Sequence, residues 1–171
     1  VYMTYPSIAN NGNIYFNATF NEGLGKSDVY CLEKTETGYG KPVNLGVNIN
    51  SEHWEFHPFI APDEKYIIFD AVRPEGFGSN DLYISYKLQD GTWSKACNLG
   101  EKINGPASDM RPYVSPDGKY LFFCSNRNTN PDISEETFDY HQFAKIINGP
   151  GNGSQDIYWV STKELKTLKQ K

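Results

Sequence analysis

Pro-Tyr-Val-Ser-Pro-Asp-Gly-Lys-Tyr-Leu-Phe-Phe, residues 112–123, reads as a short strand, a tight turn and a second strand. Pro116, Asp117 and Gly118 supply the fixed and the permissive backbone angles that such a turn needs. The aromatic and branched residues on either side suit a pleated, half-buried surface. The same sentence stands twice earlier, as Pro-Phe-Ile-Ala-Pro-Asp-Glu-Lys-Tyr-Ile-Ile-Phe at 58–69 and Pro-Ser-Ile-Ala-Asn-Asn-Gly-Asn-Ile-Tyr-Phe at 6–16. The leading prolines, Pro6, Pro58 and Pro112, lie 52 and 54 residues apart. A phrase returning at that interval marks one structural unit used repeatedly.

Working outward, each unit reads as four strands. The first follows the leading proline, at 7–9, 59–61 and 113–115, and the second follows the turn, at 13–20, 65–72 and 119–125. A Gly-rich connection then leads to a third strand opened by Asp28-Val29-Tyr30, Asp81-Leu82-Tyr83 or Asp156-Ile157-Tyr158. After a polar turn at 35–40 or 89–94, the fourth strand closes on Asn-Leu-Gly at 44–46 and 98–100. A long polar loop, 47–57 or 101–111, returns to the next proline. Four short antiparallel strands per roughly fifty residues is the signature of β-propeller blades, each burying its faces only against its neighbours.

The expectation is therefore an all-β propeller of about three four-stranded blades, at 6–46, 58–100 and 112–161, forming an incomplete ring. The third copy departs in two ways. It carries an insertion at 128–153, in which 139–148 predicts a helix capped by Asp139 with Gln142 three residues on, and with Tyr140, Phe143 and Ile147 on one face. It also lacks a fourth strand; the tail 162–171 predicts a short helix opened by Ser161 and Glu164. Three blades, one of them short of a strand, point to ring closure by further blades upstream or by self-association.

The phrase at 112–123, with Ser-Asn-Asp-Leu-Tyr-Ile-Ser at 79–85, resembles the PD40, or WD40-like, repeat of TolB-type propellers. With Asp-Gly-Thr-Trp-Ser-Lys at 90–95 and Asn-Leu-Gly added, the wider pattern is similar to secreted or lipoprotein PD40 proteins of Bacteroidetes-type bacteria. The resemblance covers nearly the whole chain. It implies the propeller fold and an extracytoplasmic location, and it leaves function open, because the family includes interaction modules, enzyme appendages and enzymes. Asp90-Gly91-Thr92-Trp93 is similar to the Asp-box of sialidase-type propellers but lacks the residue between Asp and Gly.

Composition narrows the function classes. The net charge is −5 and no dense Lys/Arg patch exists, so nucleic acid is not an expected partner. No apolar run approaches the ~20 residues of a membrane-spanning helix. Three cysteines without a CxxC pair and three histidines at unrelated repeat positions give no metal-ligand pattern, and no cofactor is expected. Cys31, Cys97 and Cys124 fall in strand positions and read as small buried hydrophobes.

Within a repeat, residues recurring in every copy belong to the architecture, as Asp28, Asp81 and Asp156 do. Function is better sought where the frame is constant and the side chain changes. The three residues before each leading proline are such a place: Met3-Thr4-Tyr5, Glu55-Phe56-His57 and Asp109-Met110-Arg111. As a loop feeding the innermost strand, they should ring the mouth of the central channel, joined by Arg73 and Arg127 from the loops after the second strands. The candidate ligand-binding set is Glu55, His57, Arg73, Asp109, Arg111 and Arg127, a mixture suited to an anionic or sugar-like ligand. The leading expectation is a non-catalytic module binding a protein or a glycan on this face. The alternatives are a carbohydrate-active hydrolase or lyase using Glu55, His57 and Asp109, and a structural scaffold of a cell-envelope complex.

Overall fold

The computed structural model describes residues 3–129 and 139–166. Two four-stranded antiparallel sheets and one three-stranded sheet follow one another along the chain. The first holds β1 (Met3–Ile8), β2 (Ile14–Ala18), β3 (Asp28–Leu32) and β6 (Val43–Asn44), and between β3 and β6 the chain forms a separate hairpin, β4 (Lys34–Thr35) and β5 (Gly38–Tyr39). The second holds β7 (Trp54–Ile60), β8 (Tyr66–Val72), β9 (Asp81–Tyr86) and β10 (Cys97–Asn98). The third holds β11 (Asp109–Val114), β12 (Tyr120–Ser125) and β13 (Asp156–Ser161), followed by α2 (Lys163–Lys166). These are propeller blades. The first strands form the inner edges, with β1 and β11 each packed against β7.

Two apolar layers hold the blades together. Tyr15, Val29 and Cys31 of the first blade meet Ile67, Phe69 and Tyr83 of the second. On the other side Ile68, Leu82 and Ile84 meet Leu121, Phe123 and Tyr158 of the third. Alternation along each strand sends successive side chains to opposite faces, so every blade carries one set for each neighbour. The far face of the third blade keeps the same pattern with no neighbour among the described residues: Ile157 and Trp159, in the register positions of Leu82 and Ile84, are 74% and 61% exposed.

The recurring aspartates tie the Gly-rich connections to the third strands. Asp28 accepts from the backbone N–H groups of Leu24 and Gly25, Asp81 from those of Phe77 and Gly78, and Asp156 from that of Gly151. Glycine is needed at Gly25 and Gly78, because a Cβ there collides with the Ser51 and Ala107 carbonyl oxygens. Asn50 and Asn104, in loops that carry no strand signal, complete the device. Asn50 Oδ1 accepts from Val29 N at 2.8 Å and its Nδ2 donates to Val29 O at 2.9 Å; Asn104 does the same for Leu82 at 2.9 and 3.0 Å.

The expected elements are present, with three differences. The polar turn at 35–40 contains the β4–β5 hairpin. The first strands begin at Met3, Trp54 and Asp109, before the prolines, so the residues expected as a loop are strand. Cys31 is buried as expected, but Cys124 is half-buried and Cys97 exposed, because β10 is a two-residue outer edge with one side in water. Helix α1 (Tyr140–Asn148) forms with the expected capping box of Asp139 and Gln142, yet none of its residues is buried. Leu165 of α2 packs into the crevice between the second and third blades. Residues 130–138 of the insertion and 167–171 of the tail lie outside the described residues.

Candidate functional site

Each inner-edge strand is interrupted at its X-Pro pair. Proline has no N–H for the ladder. Tyr5-Pro6 together oppose Phe16 alone, as His57-Pro58 oppose Phe69 and Arg111-Pro112 oppose Phe123. Two residues against one is a β-bulge, which re-aims the side chain it contains. At all three bulges a non-glycine residue takes a left-handed backbone, with φ of 55° at Tyr5, 48° at His57 and 56° at Arg111. Such a conformation costs on the order of 1–3 kcal/mol and persists only where the surroundings enforce it.

At His57 and Arg111 the enforcement comes from the preceding blade. Asn17 Oδ1 accepts from His57 N at 3.2 Å, and Asp70 Oδ1 accepts from Arg111 N at 3.0 Å. Asn17 and Asp70 occupy the same register position of their blades; Cys124 is the third occupant. Asp70 is fully buried and gathers two further donors. His57 Nδ1 lies 2.7 Å from Oδ1, and Asn80 Nδ2 lies 3.0 Å from Oδ2. An ionised carboxylate is acceptor-only, so this geometry puts the His57 proton on Nδ1 and leaves Nε2 as the ring's second polar atom.

The three bulge residues line one groove of about 530 Å³ that runs along the inner edges. Its floor is apolar, made by Pro6, Ile8, Pro58, Phe59, Pro112 and Val114. The Tyr5 ring meets the His57 ring edge-on at 4.0 Å between centroids. Arg111 Nη1 donates to Gln155 Oε1 at 2.8 Å. Burial pulls the Arg111 pKa down, but the neighbouring Tyr5 phenol and Cys124 thiol outweigh it and hold it above the ordinary value.

The other four candidate residues stand elsewhere. Glu55 and Asp109 are fully buried. Arg73 binds Glu55 Oε1 through Nε at 3.2 Å and Nη2 at 2.9 Å, and Ser51 donates to Glu55 through both Oγ and N. Arg127 Nη2 donates to Asp109 Oδ1 at 2.6 Å and to Ile103 O at 2.7 Å. Both guanidinium groups lie over aromatic rings, Arg73 at 4.6 Å from Tyr83 and Arg127 at 4.7 Å from Tyr158. In the first blade the equivalent pair is Met3 and Phe20, with the Phe20 ring against Tyr30. The first blade thus fills with apolar side chains the positions that hold an acid–arginine pair in the other two, and these four side chains do not line the groove.

The structure thus brings His57 and Arg111 together and adds Tyr5 and Asp70, which the candidate set lacks. Tyr5 holds the third pre-proline position. Asp70 had a visible signal as well: its slot reads Asn17, Asp70 and Cys124, uneven and polar within otherwise apolar strands. Among the described residues no cluster of His, Cys, Asp and Glu could hold a metal ion. No described helix is long and apolar enough to cross a membrane.

Comparison with solved structures places the fold. A protein described as TolB from Agrobacterium tumefaciens superposes with a TM-score of 0.60 over 96% of this chain, at 14% identity. The fold is that of a TolB-type propeller. The chain covers 47% of that protein's length. TolB from Acinetobacter baumannii matches at 19% identity over 76% of this chain and 27% of its own, with a TM-score of 0.48. The tricorn protease matches at 16% identity over 80% of this chain and 12% of its own, with a TM-score of 0.45. No family model and no curated protein matches the chain.

Proposed function

We propose that this propeller segment is a non-catalytic binding module that takes a protein ligand in the inner-edge groove, through Tyr5, His57 and Arg111. The observation that carries the reading is the triple left-handed bulge. Three blades each hold a non-glycine residue in a costly conformation at the same point, and each aims a different side chain into one groove. Strain of that kind at a variable side chain points to use rather than to packing. The volume falls within the usual range for ligand sites, and the apolar floor with a few polar groups is their usual composition. The floor favours a protein segment over a glycan, because neither Asn nor Gln, Asp nor Glu is among the described lining residues to meet sugar hydroxyls. The carbohydrate-active alternative would draw on Glu55, His57 and Asp109, of which only His57 lines the groove. An extracytoplasmic location, the resemblance to Bacteroidetes-type PD40 proteins and a place in a cell-envelope complex belong to the same proposal and rest on the family likeness.

Selection of random peptides displayed on phage tests the reading. Peptides retained by the protein should be lost from the His57→Ala/Arg111→Ala double variant, with its thermal midpoint little changed. Equal retention by both proteins would remove the groove as the site.

A second reading has its own observation. The exposed face with Ile157 and Trp159 repeats, in register, the face that buries Leu82 and Ile84 between blades. That pattern fits a further blade, from a longer chain or a second copy. Light scattering distinguishes the two: a dimer of this chain supports the second copy, and a monomer the longer chain.

A further inference from the structure

Charge is distributed unevenly around the groove. The chain carries a net charge of −5, yet no carboxylate is among the described residues lining the groove. The acids around the groove have partners: Glu55 has Arg73, Asp109 has Arg127, Asp70 has His57, Asn80 and the Arg111 backbone, and Asp63 and Asp117, beside the lining residues Pro62 and Pro116, have Lys65 and Lys119. Glu55, Asp70 and Asp109 are fully buried, whereas Asp63 and Asp117 are half-exposed and paired with lysines. The chain has three arginines, and two are locked into those buried pairs. Arg111 is the exception. Among the described residues it pairs with no carboxylate, and its guanidinium donates to the neutral amide of Gln155. Beside it stands His57, whose Nδ1 is tied to Asp70.

From this we infer that the groove binds an acidic peptide segment. One ligand carboxylate is received by the Arg111 fork with His57 beside it, and the apolar residues that flank it in the ligand sequence lie on the proline-rich floor. Asp70 is the positioning residue: one buried carboxylate fixes the backbone of Arg111 and the ring of His57 together. The inference rests on the groove reading above and adds the chemistry of the ligand. Guanidinium suits it, because a planar fork receives a carboxylate bidentately, and charge-assisted hydrogen bonds of this kind are about twice as strong as neutral ones. Occupation of the neighbouring acids by their own donors matters equally, since an unpaired carboxylate at the groove would repel the ligand. Uronic acids carry the same charged group, but they bring hydroxyl groups on every ring, and the described lining offers no amide or carboxylate side chain to meet them.

The test uses two peptide pools, random except for one central position fixed as Asp in one pool and as Asn in the other. Retention of each pool on the immobilised protein is measured, together with the thermal midpoint of every variant. The Asp pool should be retained about ten-fold or more over the Asn pool, in line with a charge-assisted contact. Arg111→Gln should erase that preference, Arg111→Lys should keep part of it, and Lys145→Gln, on the exposed helix α1, should leave it intact. Asp70→Asn should weaken retention of the Asp pool with Arg111 itself unaltered, and should change the imidazole ¹⁵N tautomer signature of His57, which a purely structural role for Asp70 would not move. Equal retention of the two pools, including none of either, overturns the inference. If both pools are held equally and both are lost on His57→Ala/Arg111→Ala, the groove reading survives and the carboxylate chemistry falls. Trigalacturonate added as competitor separates the sources: displacement of the Asp pool at lower concentration than a free acidic dipeptide would overturn the peptide in favour of a uronate.

Discussion

Arg73→Ala is the substitution with the largest worked consequence. It leaves Glu55, fully buried, with Ser51 as its remaining donor. Breaking a buried pair by removing one partner costs about 3–5 kcal/mol, because the charge left behind is uncompensated. The lost stacking over Tyr83 adds about 0.5–2 kcal/mol. For a chain of this length that corresponds to a fall in thermal midpoint on the order of 10 °C. The first blade supplies the rescue. Its Met3 and Phe20 hold the same two positions without charge, so Glu55→Met with Arg73→Phe should restore most of the loss, leaving about 1 kcal/mol and a coupling of at least about 2–3 kcal/mol between the sites. Urea unfolding of Arg73→Ala and of the four proteins in the Glu55→Met/Arg73→Phe cycle measures these quantities. A cost below about 1 kcal/mol for Arg73→Ala, or strictly additive single and double effects, would refute the argument that these pairs are packing elements of the blades.

Three further outcomes follow from the same geometry. Asn104→Ala strips both backbone groups of Leu82 of their side-chain partner and should destabilise by about 2–4 kcal/mol, read from the shift in urea midpoint; a change below about 0.5 kcal/mol would contradict it. Asp117 has its pKa lowered to about 2 by the Ser115 hydroxyl, the Lys119 backbone N–H and the Lys119 ammonium. A depressed carboxylate contributes stability above its ordinary pKa and loses it as pH falls through the folded value, so the contribution should fade between about pH 4 and pH 2. Asp117→Asn should flatten the stability profile in that window alone, and an unchanged profile would count against the turn contacts. Cys97 is exposed, whereas Cys31 is buried and its thiol is pushed up to about 11, chiefly by burial; a thiol reagent at pH 8 should therefore modify Cys97 in the folded protein and reach Cys31 only on unfolding. Modification of Cys31 in the folded state would contradict the packing of the first interblade layer.

Much of the fold was legible because the repeat supplies its own alignment. The phrase at 112–123 and its two copies mark the strands, and the aspartates before Val29, Leu82 and Ile157 are tied as recurring residues should be. The inner strands begin before their expected starts for a physical reason. Proline within a strand normally argues against it, and a bulge that accommodates X-Pro leaves no mark in periodicity. The candidate site was half legible. His57 and Arg111 are found by asking where the frame is constant and the side chain is not. The same rule admitted Glu55 and Asp109, because nothing in their spacing shows that Arg73 and Arg127 lie eighteen residues on, two positions beyond their ladder partners. Pairing across a hairpin appears only once the register is known. Asp70 was missed because a strand aspartate reads as a surface position until the next blade covers it.

Helix α1 shows the converse. Its capping box and amphipathic pattern are local, so they are readable from residues 139–148, and the helix forms as expected. Burial of its apolar face is a tertiary property, and Tyr140, Phe143 and Ile147 remain exposed.

The most direct test of the central claim is photo-crosslinking of a phage-selected peptide from two positions. A benzoylphenylalanine at Tyr5 sits in the groove, and one at Trp159 sits on the open face of the third blade. Crosslinking from position 5 and none from position 159 is the predicted result. Crosslinking from position 159 alone would mean that the protein meets its partner through the blade face, and that the three strained bulges serve the ring rather than a ligand.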